Sequence, residues 1–355
     1  MKVEVLEPHG FCMGVRAAIE KALHALAVSG PLFCLHQLVH NESVVADLRA
    51  KGMRVVEALA EVPEGGTVLF SAHGVGPEAR HEAARRGLRV IDATCPFVAR
   101  VHRQVRTYAA RGLAVVVVGH ADHVEVRGVV DEAREAGARV AVVATPEDVA
   151  ACPLPPDAHI GVVSQTTLSD NVLKDVRTAL RARCRHVETT PASEACTATR
   201  DRQEAVRRFV ARGGDGVLVL GSATSSNTRR LAEIAEMGGA RVWRVATEAE
   251  LSGCDFTGIG TLGVTSGAST PEAFLERIRG ELSRRFAALN AFGGGDDDVM
   301  SRMDALVEET RNGRDALVAP VHAGRCMDYQ GWGRGIKSPL RGFKWLSRRF
   351  AALSG

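Results

Sequence analysis

The sequence predicts an α/β protein built from several parallel-sheet units. Short apolar runs alternate with segments of helical periodicity, and most of the runs are continuous. That is the pattern of strands buried on both faces. Three strand-to-helix corners each carry a cysteine, dividing the body into comparable pieces. A chain of 355 residues is long for one compact core and predicts two or three domains.

Taken in order, the first strand is read at 3–6, where Val, Glu, Val and Leu precede the corner holding Cys12. A helix over 15–26 follows. Further strands are read at 67–70, 114–118, 159–163, 216–220 and 261–264. Each of these five ends in a polar corner and then a helix. Such sheets bind ligands at the carboxyl ends of their strands, so the chain offers several small-molecule corners. Helices over 98–110 and 202–212 follow Cys95 and Cys196, and another spans 229–235. The expected units are 13–95, 96–195 and 196–289, with residues 1–12 joining the third. No sequence similarity between the units is visible, so any repetition is architectural.

Bulk composition excludes several classes. A net charge of +3 is too small to make nucleic acid the main partner. No N-terminal apolar leader and no run of about 18 apolar residues is present, which predicts a cytoplasmic protein. Eight cysteines in such a chain are metal-binding, catalytic or buried rather than disulfide-paired. Cys34, Cys152, Cys184, Cys254 and Cys326 lack a helix-entry context and read as structural.

Cys12, Cys95 and Cys196 differ from these. Each precedes a helix, where the macrodipole favours the thiolate. Soft thiolates select zinc, copper or iron–sulfur clusters, and a set of three leaves one metal atom open to substrate. The competing reading is three unrelated buried cysteines.

Ser225, Ser226 and Asn227 lie between a strand and a helix, and Ser269 occupies a similar corner before Pro271, a favoured first helical residue. Hydroxyls, an amide and free backbone N–H groups make an anion site there; alternatively these residues only cap their helices. His40, His73 and His123 flank loop signals and suit phosphate contact, acid chemistry or metal binding. Together the corners favour a phosphate or diphosphate ligand. His120, His123 and Glu125 also resemble a zinc half-site. Glu125 becomes a proton donor if burial keeps it protonated. The chain has no Gly-x-Gly-x-x-Gly after its first strand, no Walker motif and no Cys-x-x-Cys. Electrons for any redox step must therefore come from a separate protein.

Nine motifs in order carry a resemblance. They are Gly-Phe-Cys12-x-Gly-Val, Leu-Val-His40-Asn, Phe-Ser-Ala-His73-Gly-Val, Asp-Ala-Thr-Cys95-Pro and Gly-His-x-x-His123-x-Glu125 in the first half. The second half has Ser-Gln165-Thr166-Thr167-Leu, Cys196-x-Ala-Thr-x-x-Arg-Gln-Glu-Ala, Gly-Ser-x-x-Ser225-Ser226-Asn227 and Gly-Val-Thr-x-Gly-Ala-Ser269. Over about residues 1–285 the chain resembles the 4-hydroxy-3-methylbut-2-enyl diphosphate reductases, which close the non-mevalonate route to isoprenoids. The resemblance implies an α/β trefoil of three units around a central [4Fe–4S] cluster held by Cys12, Cys95 and Cys196. It implies that His40, His73, His123, Ser225, Ser226, Asn227 and Ser269 bind the substrate. Glu125 would be the proton source, and Thr166 would orient the hydroxyl and relay protons. The implied partners are an allylic diphosphate and an external electron donor such as a flavodoxin or ferredoxin. Met13, Val124, Thr197 and Asp201 depart from the family pattern but remove neither a ligand nor the acid.

Past residue 289 the character changes. Residues 291–298 read as a flexible acidic linker and 299–310 as a short amphipathic helix. Residues 325–355 are basic and aromatic, suiting either an anionic membrane surface or an acidic protein partner. The octapeptide Leu-Ser-Arg-Arg-Phe-Ala-Ala-Leu at 282–289 recurs at 346–353.

Overall fold

A computed structural model describes residues 1–191 and 195–292, with side chains to residue 286. The chain separates into two units, Met1–Asn290 and Ala291–Gly355. Three four-stranded sheets, all parallel, belong to the first. The proposed helix 299–310, Cys326, the basic segment and the second octapeptide lie outside the described residues.

One sheet is complete in sequence before the others. It contains β2 (Leu32–Leu35), β3 (Met53–Val56), β4 (Thr67–Phe70) and β5 (Arg89–Asp92), ordered β3-β2-β4-β5. The next contains β6 (Ala114–Val118), β7 (Val140–Val143), β8 (His159–Ser164) and β9 (His186–Thr189), ordered β7-β6-β8-β9. The last contains β10 (Gly216–Leu220), β11 (Arg241–Val245) and β12 (Thr261–Ser266), with the N-terminal β1 (Lys2–Val5) added beyond β12. Lys2 pairs with Thr261 and Val5 with Val264. All three sheets thus share one strand order, and the repetition lies in topology rather than in residues.

Each sheet is buried on both faces, which explains the continuous apolar runs. Val116 and Val118 point into one core and Val115 and Val117 into another. Leu69 is opposed in the same way to Val68 and Phe70, and Leu218 and Leu220 to Val217 and Val219. Buried branched side chains of this kind contribute about 1.5–3 kcal/mol each. Of the six central strands the sequence reading finds five and misses β2, a four-residue strand after Gly-Pro. It misses five of the six edge strands, such as β11, whose Arg241 and Arg244 are exposed. Edge strands carry polar residues that break an apolar run.

One close approach is decisive for packing. A Cβ on Gly161, in β8, would lie 2.4 Å from ring atoms of Tyr108, which is fully buried. Gly161→Ala is expected to destabilise the protein by about 1–3 kcal/mol through overpacking, read from urea unfolding midpoints.

The strands feed helices whose first turns face the centre. The relevant ones are α1 (Met13–Ser29), α2 (Glu42–Ala50), α4 (Pro96–Ala110), α5 (Val124–Glu135), α7 (Thr197–Ala211) and α8 (Ser226–Met237). The others are α3 (Pro77–Arg85), α6 (Asp170–Arg183), α9 (Glu248–Leu251) and α10 (Glu272–Phe292). Pro271 sits just before α10 rather than within its first turn. Ala291 and Phe292, expected in a linker, still belong to α10.

Candidate active site

In every unit the two central strands end at loops that turn towards one shared cavity. His40 follows β2 and His73 follows β4. His123 and Glu125 follow β6, and Thr166 follows β8. Ser225, Ser226 and Asn227 follow β10, and Ser269 follows β12. All of these line the cavity, and so do Cys12, Cys95 and Cys196. The cysteines come from the fourth strand of each sheet: β1 leads to Cys12, β5 to Cys95 and β9 to Cys196. Each then caps the helix that opens the next unit, α1, α4 or α7. One topology therefore delivers a thiol and a polar pair three times over. Cys34, Cys152, Cys184 and Cys254 are buried in the cores instead.

Cys95 and Cys196 differ from the expectation of easy ionisation. Burial pushes the Cys95 thiol up to about 11, outweighing the backbone N–H groups of Phe97 and Val98. Burial also raises Cys196, against the opposing contact with Thr199, whose hydroxyl lies 3.1 Å from the sulfur. Metal binding at such thiols displaces protons. The backbone leaves room beside them, because a Cβ on Gly14 would sit 2.5 Å from the Cys95 sulfur. Among the described residues no three His, Cys, Asp or Glu side chains close on a single ion. Three soft donors around one cavity, with glycine clearing the approach, fit a polynuclear cluster that offers each sulfur its own metal atom.

The same cavity is lined by three histidines and the Ser225-Ser226-Asn227 corner. The rings of His40 and His73 lie 4.2 Å apart, with His123 at 5.5 and 6.1 Å from them. Burial lowers the pKa of all three. His123 falls to about 4, helped by His40 and His120, and His73 falls well below the usual range. The trio is therefore neutral at pH 7, each ring with a donor nitrogen to offer. Nε2 of His40, Nε2 of His123 and both amide atoms of Asn227 are buried without a protein partner. Buried polar atoms are normally satisfied, so these are places for a ligand. Ser225 accepts the Thr228 N–H at 3.3 Å, as a helix cap does, and lines the cavity as well.

Glu125 lines the same cavity. It is fully buried, and burial raises its pKa to about 7 despite two opposing hydrogen bonds. The Thr166 N–H donates to Oε1 at 2.8 Å, and the Thr166 hydroxyl donates to Oε2 at 3.0 Å when the acid is ionised. Because Oε1 is occupied by an N–H, a proton on the acid belongs on Oε2, facing the Thr166 oxygen. The hydroxyl then accepts from Glu125 and has its own proton to pass on.

The LytB protein family model matches residues 3–283. The chain belongs to the LytB family.

Curated LytB relatives include the 4-hydroxy-3-methylbut-2-enyl diphosphate reductase of Tolumonas auensis, 38% identical over 311 residues, covering 87% of this chain and 97% of that one. The enzyme of the same name from Methylococcus capsulatus is 40% identical over 283 residues, covering 79% and 90%. Among solved structures, the E-1-hydroxy-2-methyl-but-2-enyl-4-diphosphate reductase of Plasmodium falciparum aligns with TM-score 0.76 at 32% identity, covering 79% and 88%. The LytB trefoil of three α/β units is the fold of this chain, and the family carries an iron–sulfur cluster.

Some supporting residues escaped the sequence reading. Arg202 is buried and donates to the Gly10 carbonyl at 2.8 Å, tying the Cys12 loop to the Cys196 helix. Its signal was an arginine on a helix face that otherwise packs inwards. Gly14 left no signal beyond its place in a motif, and Glu42 left none. Met13, a departure from the family pattern, is 67% exposed and points away from the thiols it adjoins.

Proposed function

We propose that this chain is a 4-hydroxy-3-methylbut-2-enyl diphosphate reductase that removes the substrate's hydroxyl as water and yields isopentenyl and dimethylallyl diphosphate. The observation that carries the reading is one cavity lined by three helix-capping thiols, a neutral polar cradle and a buried acid. Its membership of the LytB family supports the same assignment. Cys12, Cys95 and Cys196 would hold a [4Fe–4S] cluster with one iron left open. When bound, that cluster would relay two electrons, one at a time, from an external donor and lend Lewis acidity to the allylic C–O bond.

The remaining work falls to side chains. His40, His73, Ser225, Ser226 and Asn227 bind the diphosphate as neutral donors, backed by the first turn of α8, and Ser269 lines the same place with its hydroxyl donating to the His40 carbonyl. With the diphosphate fixed there, the short allylic chain folds back and its hydroxyl reaches Thr166 and Glu125, while His123 lines the same path. Binding energy is thus spent on orientation. Glu125 gives a proton through Thr166 to the departing oxygen, and one end of the allylic unit takes a second proton: the carbon that lost the oxygen for dimethylallyl diphosphate, the far allylic carbon for isopentenyl diphosphate. Two electrons and two protons are consumed, one C–O bond breaks, one C–H bond forms, and water leaves. The electrons come from an external carrier such as a flavodoxin or ferredoxin, in the cytoplasm. Among the described residues no helix is long and apolar enough to cross a membrane.

The cluster assignment has a direct test. In Gly14→Ala the new methyl falls on the Cys95 sulfur. After anaerobic reconstitution this variant is expected to keep wild-type circular dichroism but bind about 10–100-fold less tightly to iron, as supporting-residue changes do. Full iron loading would count against Cys95 as a ligand.

A further inference from the structure

We propose that Glu42 is a positioning residue for the anion cradle: its carboxylate clasps the corner bearing Ser225, Ser226 and Asn227 to the corner bearing His40. The inference rests on the diphosphate reading above and deepens it. Glu42 is the first residue of α2, two positions beyond His40, and belongs to the β2–β5 unit. Its Oε1 accepts from the Ser222 hydroxyl at 2.8 Å and from the Thr224 hydroxyl at 3.0 Å. Both donors come from the β10–β12 unit, in the turn between β10 and α8.

Ser222 is buried, and its oxygen also accepts the Thr224 N–H at 3.0 Å. The carboxylate therefore fixes the shape of a whole turn rather than one rotamer. That turn ends at Ser225, the cap of α8. A second bond runs in parallel, from the Ser269 hydroxyl to the His40 carbonyl at 2.9 Å. The two links join the sheets on either side of the place where a diphosphate would lie. Aligning donors from two units before ligand arrives spares the ordering cost at binding.

The sign of the effect is what makes Glu42 informative. Burial would raise its pKa, but the two hydroxyls, its backbone N–H and His40 outweigh burial and keep it ionised. A carboxylate beside an anion site repels the ligand. Only a structural return offsets that repulsion, so removal weakens binding if the clasp dominates and strengthens it if charge dominates.

Titration calorimetry of cluster-loaded, full-length protein with inorganic pyrophosphate separates these cases without turnover. Glu42→Ala is expected to weaken pyrophosphate binding about tenfold, the scale of one lost charge-assisted bond. Glu42→Gln keeps an accepting oxygen and is expected within about threefold of wild type. Thr224→Val removes one arm of the clasp at an exposed position and should give an intermediate loss. In kinetics, KM should rise with kcat little changed, because the cradle grips substrate and transition state alike. Unchanged or tighter pyrophosphate binding in folded Glu42→Ala, with wild type binding normally, would overturn the clasp alone. Wild type that neither binds pyrophosphate nor turns over substrate would overturn the diphosphate reading and the clasp with it.

Discussion

Glu125→Gln is expected to leave a folded, cluster-loaded protein whose turnover is lower by about 10²–10⁴-fold, the range of general acid catalysis. Glutamine keeps the size of the side chain and can still accept the Thr166 N–H, so the cavity survives while its acidic proton is gone. The wild-type pH profile follows from the same group. Its pKa is raised from 4.5 to about 7 by burial. An acid must be protonated to donate, so kcat should fall as pH rises through about 7, and the glutamine variant's residual rate should lack that limb. Stability carries the same sign. A folded-state pKa above the unfolded value gives stabilisation that is full below about 4.5 and is lost as pH rises to about 7. Wild type should therefore lose stability relative to Glu125→Gln across that window, measured by denaturant unfolding at several pH values.

Replacing Cys12, Cys95 or Cys196 singly by serine should remove turnover altogether. The three thiols follow strands of three different sheets, and among the described residues no fourth cysteine lines the cavity. Loss of one leaves a two-point attachment, and a serine hydroxyl is a poor, hard substitute for a soft thiolate. Iron per chain and visible absorbance after anaerobic reconstitution check this, with a fall of at least ~10-fold expected. Cys34→Ser is a fitting contrast. Cys34 is buried in β2, away from the cavity, and its thiol is pushed up to about 12 by burial. That change should cost stability while leaving the iron content of the folded protein intact.

Much of this site was legible before any coordinates. Residues at the carboxyl ends of strands can be picked out because a polar corner interrupts an apolar run, as at His73 after Phe70 or Ser225 after Leu220. What periodicity could not supply was convergence, since nothing local says that Cys12 and Cys196 share a cavity. The motif resemblance supplied that expectation, and the shared strand order of the three sheets supplies its physical cause. Edge strands stayed hidden because β5, β9 and β11 carry charged or polar residues on their open sides. Glu42 stayed hidden for a different reason. Its role lies in hydroxyls 180 and 182 positions away, in another unit. The easy ionisation expected for thiols at helix starts was overturned at Cys95 and Cys196, where burial outweighs the helix terminus.

The decisive measurement is anaerobic turnover of (E)-4-hydroxy-3-methylbut-2-enyl diphosphate by the cluster-loaded full chain with a chemical reductant. Both isopentenyl and dimethylallyl diphosphate should form, at a rate that collapses in Glu125→Gln. No product from fully loaded wild type, under conditions where an established reductase converts the same substrate, would contradict the assignment.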